Sequence, residues 1–278
     1  MKTLLRRILS AGLVLFLCCS MPVSAWEGDE HDACLRKVLF GSNRVHNTDV
    51  LDAINDASYL AIDQFNGNGD SQLRELRELG IKNLPQKEDF DFTDNSQHRN
   101  WTHKGWVYDY EKTDREDKAH WTDVRKKILL ETVNQKFDFG FLSGKFGRYS
   151  KQCDAFCALI YYVHIIGDHI DNETYHRSYQ EIPLVKGAGN SGIIEDLLKY
   201  SPILFKNQVE DNRTYASYIT RLNDLKSEID DIYYYPSDLE DDDVYAQYHE
   251  CAEKLMECLQ DYVPLLIAKE PFFRKVFG

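Results

Sequence analysis

The sequence predicts an all-α fold, a single-domain multi-helix bundle, and three observations carry that expectation. Apolar residues recur at helical period along several long stretches. Alternation at period two, the mark of a half-buried strand, is rare over strand lengths. The chain holds only seven prolines, most of them at segment ends.

The elements follow in order. Residues 1–25, MKTLLRRILSAGLVLFLCCSMPVSA, have the three parts of a secretory signal: a basic opening (Lys2, Arg6, Arg7), an apolar run from Ile8 to Cys19, and a Val-Ser-Ala end. The run is too short for a permanent membrane anchor. Leu17 precedes Cys18, which does not fit a lipoprotein site. Cleavage after Ala25 makes Trp26 the first residue of the mature chain, with a free α-amine. It leaves about 250 residues, enough for one domain (26–278) with a sizeable core.

VLDAINDASYLAIDQF (50–65) places Leu51, Ile54, Ala57, Ser58, Ala61 and Phe65 on one helical stripe. DVRKKILLETVNQKFDF (123–139) does the same with Val124, Ile128, Leu129, Thr132 and Phe139. CDAFCALIYYVHIIGDHI (153–170) is apolar on most faces and reads as a central buried helix. The stretches 216–235 and 244–269 are long and amphipathic. NGNGDS (66–71), LPQKEDFDFTDNS (84–96) and KGAGNSG (186–192) mark loops. SDLEDDDV (237–244) reads as a solvated helix start, where acids suit the N-terminal dipole.

The net charge is −13 and the isoelectric point about 5.1, so net charge alone gives no attraction to nucleic-acid phosphates. A bound metal within an acidic shell would supply a local cationic site. Five cysteines follow the leader: Cys34, Cys153, Cys157, Cys251 and Cys258. Their odd number leaves a thiol unpaired, and no CxxC spacing suggests a thiolate zinc site.

The candidate chemistry lies in histidines and acids. In HIIGDH (164–169), His164 and Asp168 are four apart and share a helix face. Imidazole and carboxylate are zinc ligand types, and a carboxylate in an apolar helix must be paired or bound to metal. A core His bonded to an Asp one turn on would produce the same pattern. HRNWTHKGWVYDYE (98–111) offers His98 and His103 among aromatics. Asp56 and Asp63, seven apart, lie in or beside the apolar stripe of 50–65. A terminal amine and first carbonyl at Trp26 can chelate a metal, with His31 as a further ligand. The competing reading of that end is a frayed terminus.

Together these segments resemble the exported zinc phosphodiesterases that join bacterial zinc-dependent phospholipase C to the fungal and plant single-strand nucleases. The resemblance is spread over residues 26–176 as short motifs. It implies an all-α fold, two or three zinc ions, and hydrolysis of a phosphate ester by metal-activated water. Position by position, it implies metal ligation by Trp26, His31, Asp63 (Asp56 second), His103 (rather than His98), His164, Asp168 and His176 (rather than His169). It makes Asp63 the group that also orients the nucleophile. The family's last motif, H-x-x-x-D or H-x-x-x-E, is met only by His249 and Glu253, much farther along than the pattern places it.

The substrate so implied is a phospholipid headgroup or a single-stranded nucleic acid, handled by a secreted monomer with no permanent anchor. Trp101, Trp106 and Tyr108 would stack a base or take a choline group by cation–π contact. Two other readings stand beside it: a catalytically incomplete relative that binds metal or a partner after export, and an unrelated exported helical domain whose histidines are packing residues.

Overall fold

The computed structural model describes residues 28–43, 48–62, 69–86, 116–137, 139, 149–171, 184–185, 192–210, 212–233, 238 and 241–277. Among them the protein is all-helical, with no strand. Eight helices have ten residues or more: α1 (Gly28–Phe40), α2 (Thr48–Ile62), α3 (Gly69–Glu78), α4 (Glu116–Lys136), α5 (Lys151–Asp171), α6 (Ile193–Leu204), α7 (Arg213–Asp230) and α8 (Asp242–Ile267). A 3₁₀ turn (Pro271–Phe273) and a last helical turn, α9 (Arg274–Phe277), follow. The leader and the 87–115 segment lie outside the described residues.

The 21-residue α5, about 31 Å long at ~1.5 Å per residue, is the central helix that its apolar sequence predicts. Every residue from Ala155 to Ile166 is buried. A helix apolar all round must be surrounded, and α5 packs against α1, α2, α4, α6 and α8. Ser150 starts it, its Oγ accepting from the Cys153 amide at 3.0 Å. Helix α2 lies mainly on α4 and also touches α1, α3 and α5. Helix α8 packs on α7, α1 and α5. One continuous apolar core runs through these contacts.

The periodic stretches are helices, with some shifts. In α2 the buried face includes Val50, Ala53 and Leu60 beside the expected Ile54, Ala57 and Ser58, so it is turned toward Val50. Helix α4 begins at Glu116, ahead of the expected 123, and its expected Ile128, Leu129 and Thr132 are buried. The acid-rich 237–244 stretch does start a helix: Asp241 caps α8, accepting from the amides of Asp243 and Val244 at 2.9 and 3.2 Å.

Three of the long helices lie where the sequence reading marked no periodic stretch, α1 (Gly28–Phe40) among them. The 66–71 turn signal gives way to α3 at Gly69, and α6 follows the Gly-rich 186–192 stretch. Helix α6 contains Pro202, which cannot donate to the helix ladder. Beside it Ser201 Oγ donates to the Leu197 carbonyl at 2.5 Å.

The chain between α6 and α7 is held by a buried carboxylate. Glu270, 0% exposed, accepts from Asn207 Nδ2 at 3.0 Å and from Gln208 Nε2 at 2.8 Å. Gln208 Nε2 also donates to the Leu266 carbonyl, and Asn212 Nδ2 donates to Gln208 Oε1 at 2.7 Å. A buried acid is tolerable when amide donors meet it in this way.

Candidate functional site

The sequence points to seven metal-ligating residues, and the structure describes part of that set. Trp26, Asp63, His103 and His176 lie outside the described residues, as does His98. The backbones of His31 and Asp168 are placed on α1 and α5, while their side chains fall outside the description. His164 is described in full: it sits in the second half of α5 and is 7% exposed. The register of α5 puts Asp168 one turn beyond it on the same face.

What the structure does bring together are the helices. Helix α1, which carries His31, packs on α5, which carries His164 and Asp168. Helix α2, which carries Asp56, packs on both. Among the described residues no three His, Cys, Asp or Glu side chains converge as a metal cage.

Asp56 is half-buried on α2, and burial pushes its carboxyl up to about 7. The negative charges of Glu75 on α3, Asp32 on α1 and Asp52 on α2 add to that rise. Three helices thus turn acids toward one carboxyl, a repulsion that their sequence separation hides. Within the same helix, Asn55 Oδ1 is a buried side-chain oxygen with no hydrogen-bond partner among the described residues.

The far end of α5 is held by two consecutive residues of α8. His249 Nε2 donates to the Ile170 carbonyl at 2.6 Å. A carbonyl only accepts, so Nε2 carries the proton and is not free to bind a metal in this arrangement. Glu253, one turn on, is exposed. Tyr248 is buried, and its Oη accepts from the Leu184 amide at 2.6 Å. The His169 ring meets the Tyr248 ring edge-on, with centroids 5.8 Å apart. Sequence reading left His249 open, as a displaced ligand or as a helix-surface histidine where the third metal position is altered or lost. It gave Tyr248 no role, because an OH-to-amide bond across the fold leaves no spacing to read.

A cavity between α5, α6 and α7, lined by Leu159, Tyr162, Tyr200, Ser201 and Tyr218 among others, is about 10 Å³, room for one water and not for a substrate. Its polar atoms serve the fold. The Tyr162 hydroxyl bonds to Asp196, and Ser201 Oγ lies 3.3 Å from Tyr218 Oη. Burial raises the Tyr200 and Tyr218 hydroxyls above the ordinary tyrosine range, so both stay protonated donors.

Among the described residues Cys153, Cys157, Cys251 and Cys258 are free thiols. All four are buried, and burial raises Cys157 well above the usual thiol range, Cys251 to about 11 and Cys258 to about 12. Such thiols are poor nucleophiles and poor metal ligands. No described helix is long and apolar enough to cross a membrane. Comparison of the chain with protein-family models, with curated proteins and with solved structures found no match.

Proposed function

We propose that this chain is an exported zinc-dependent phosphodiesterase, acting on the phosphate ester of a phospholipid headgroup or of a single-stranded nucleic acid. The observation that carries the reading is His164: an imidazole 7% exposed, in a run of buried apolar residues, one turn before an aspartate, on the helix against which α1 and α2 pack. Neutral imidazole and carboxylate suit zinc, and α1, α2 and α5 bring His31, Asp56 and the His164–Asp168 pair onto neighbouring helices. The donor chemistry therefore fits the metal.

Zinc bound there supplies Lewis acidity and an activated water near neutral pH. The residues of the chain do the rest. His164 and Asp168 offer ligands from one rigid helix, His31 and the Trp26 amine offer them from the mature end, and His103 and His176 complete the set. Asp63 would be a further metal ligand and would also orient the nucleophile. A zinc held there would supply local positive charge for an anionic substrate, although the chain as a whole carries −13.

The test uses protein that begins at Trp26. Wild type should hold at least about one zinc per chain by metal analysis, given how tightly such nitrogen and oxygen sites hold the metal. It should also hydrolyse bis-p-nitrophenyl phosphate. His164→Ala removes a ligand itself and should lower that activity by at least about a hundredfold, the upper end of the loss seen when only an outer partner of a ligand is removed. Zinc-free wild type sinks the proposal, and zinc content unchanged in His164→Ala marks the histidine as a packing residue.

A second reading, a metal-binding or partner-binding protein without turnover, is favoured by one observation: His249, the only histidine left for the last family motif, spends its Nε2 on the Ile170 carbonyl. Zinc bound without hydrolysis separates it from the first.

A further inference from the structure

We infer that Tyr248 and His249 form a brace that positions the candidate zinc-binding turn of α5, an inference that rests on the reading of His164 and Asp168 as ligands. Ile170 stands two residues after Asp168, and its carbonyl belongs to the open C-terminal end of α5. Such carbonyls lack a partner within their own helix and must find one elsewhere. His249 supplies it from α8 at 2.6 Å. The preceding residue, Tyr248, turns its hydroxyl to the Leu184 amide, while the Leu184 carbonyl accepts from Ile194 at the start of α6 at 2.8 Å. The chain on both sides of residues 171–183 is thereby tied to consecutive residues of α8.

The brace is stiff for identifiable reasons. Tyr248 is packed edge-on against His169 at 5.8 Å and lies 5.2 Å from the Tyr233 ring. Helix α8 is anchored along its length by its apolar face, from Tyr248 through Cys251, Leu255 and Leu259. A metal ligand on the last turns of a helix is only as well placed as that end, and fraying there spreads His164 and Asp168 away from groups on other helices. Outer residues that hold ligands in place are worth roughly 10–100-fold in metal affinity. His249 is thus a positioning residue, acting through the backbone and not through the metal.

The experiment compares wild type, His249→Ala and His249→Gln, whose amide nitrogen reaches about as far as the lost Nε2–H. Amide hydrogen exchange of residues 168–171 is read in metal-free protein, and zinc affinity is read by competition with a chelator. We expect faster exchange and roughly tenfold weaker zinc binding in His249→Ala, both largely reversed in His249→Gln. A loss of general stability would not be repaired by the amide. If His249→Ala does not fold, the imidazole nitrogen shifts of wild type decide: a proton on Nε2 supports the brace, and one on Nδ1 overturns it. Unchanged exchange in His249→Ala overturns it as well, and so does faster exchange with unaltered zinc affinity. Wild type that binds no zinc removes the phosphodiesterase reading, and the exchange comparison then judges the brace alone.

Discussion

Asp56 shows what a single position can and cannot reveal. Its place beside an apolar stripe marks it as an acid in need of an explanation, with metal ligation as one answer. The structure adds another cause: burial first, then the charges of Glu75, Asp32 and Asp52, which come from three helices. The folded pKa, about 7, is above the ordinary 3.8. Folding therefore favours the protonated form. The stability this contributes is complete below about pH 4 and is lost as pH rises through about 7. In chelator-treated protein, urea midpoints should fall for wild type between those limits, and Asp56→Asn should flatten the fall and be the more stable at pH 8. Parallel pH curves for the two proteins would show that the carboxyl is solvated. His164 is the contrasting case. Its burial is legible from its apolar neighbours, and its 7% exposure agrees with them.

At the scale of elements, α3 shows one way in which periodicity fails. Helix α3 has ten residues and buries little beyond Leu73 and Leu76, too short a stripe to stand out from a Gly- and Asn-rich approach. Its end is well defined: the Ile81 amide donates to the Leu76 carbonyl at 2.9 Å and the Gly80 amide to Arg77 at 3.0 Å, with Leu76 and Ile81 both buried. This is a Schellman end, and Gly80 takes the φ of +84° it requires. Gln135 and Lys136 of α4 then hold the chain beyond it, Gln135 bonding both the amide and the carbonyl of Lys82 at 2.9 and 2.8 Å.

Gly41, φ +56°, ends α1 under a second constraint, since a Cβ there would sit 3.1 Å from Pro264 Cβ on α8. Gly80→Ala meets no atom within 4 Å and should lose only about 1 kcal/mol, from the left-handed backbone. Gly41→Ala should lose more, because the α1–α8 contact must also open. Chemical denaturation of the two variants checks the order, and equal losses would mean that Pro264 yields freely.

At the scale of the whole molecule, the two ends of the described chain meet in an aromatic cluster. Phe273 lies 5.5 Å from Phe40 of α1, 5.3 Å from Phe137 after α4 and 6.1 Å from Phe156 of α5, and Phe272 stacks on Phe139 at 4.3 Å. Phe273 is 0% exposed and belongs to a short turn that has no stability of its own. Phe273→Ala should therefore cost about 3–5 kcal/mol, the usual loss for a buried Phe. The denaturant midpoint is the measure, and a change below about 0.5 kcal/mol, the size of an ordinary surface effect, would show that the C-terminal turn is not part of the core.

The helical period was readable because a helix that packs on neighbours must place apolar residues at i, i+3 and i+4, and that constraint is local. It located α2, α4, α5, α7 and α8, and it marked α5 as the element surrounded on all sides. It also located His164 and Asp168 on one face of α5, since spacing alone sets helical register. Pairing of distant elements has no such local trace. That Asp32 and Glu75 press on Asp56, that Gly41 meets Pro264, and that His249 bonds to the end of α5 were decided by tertiary packing, which sets desolvation and distance between residues that the chain keeps far apart.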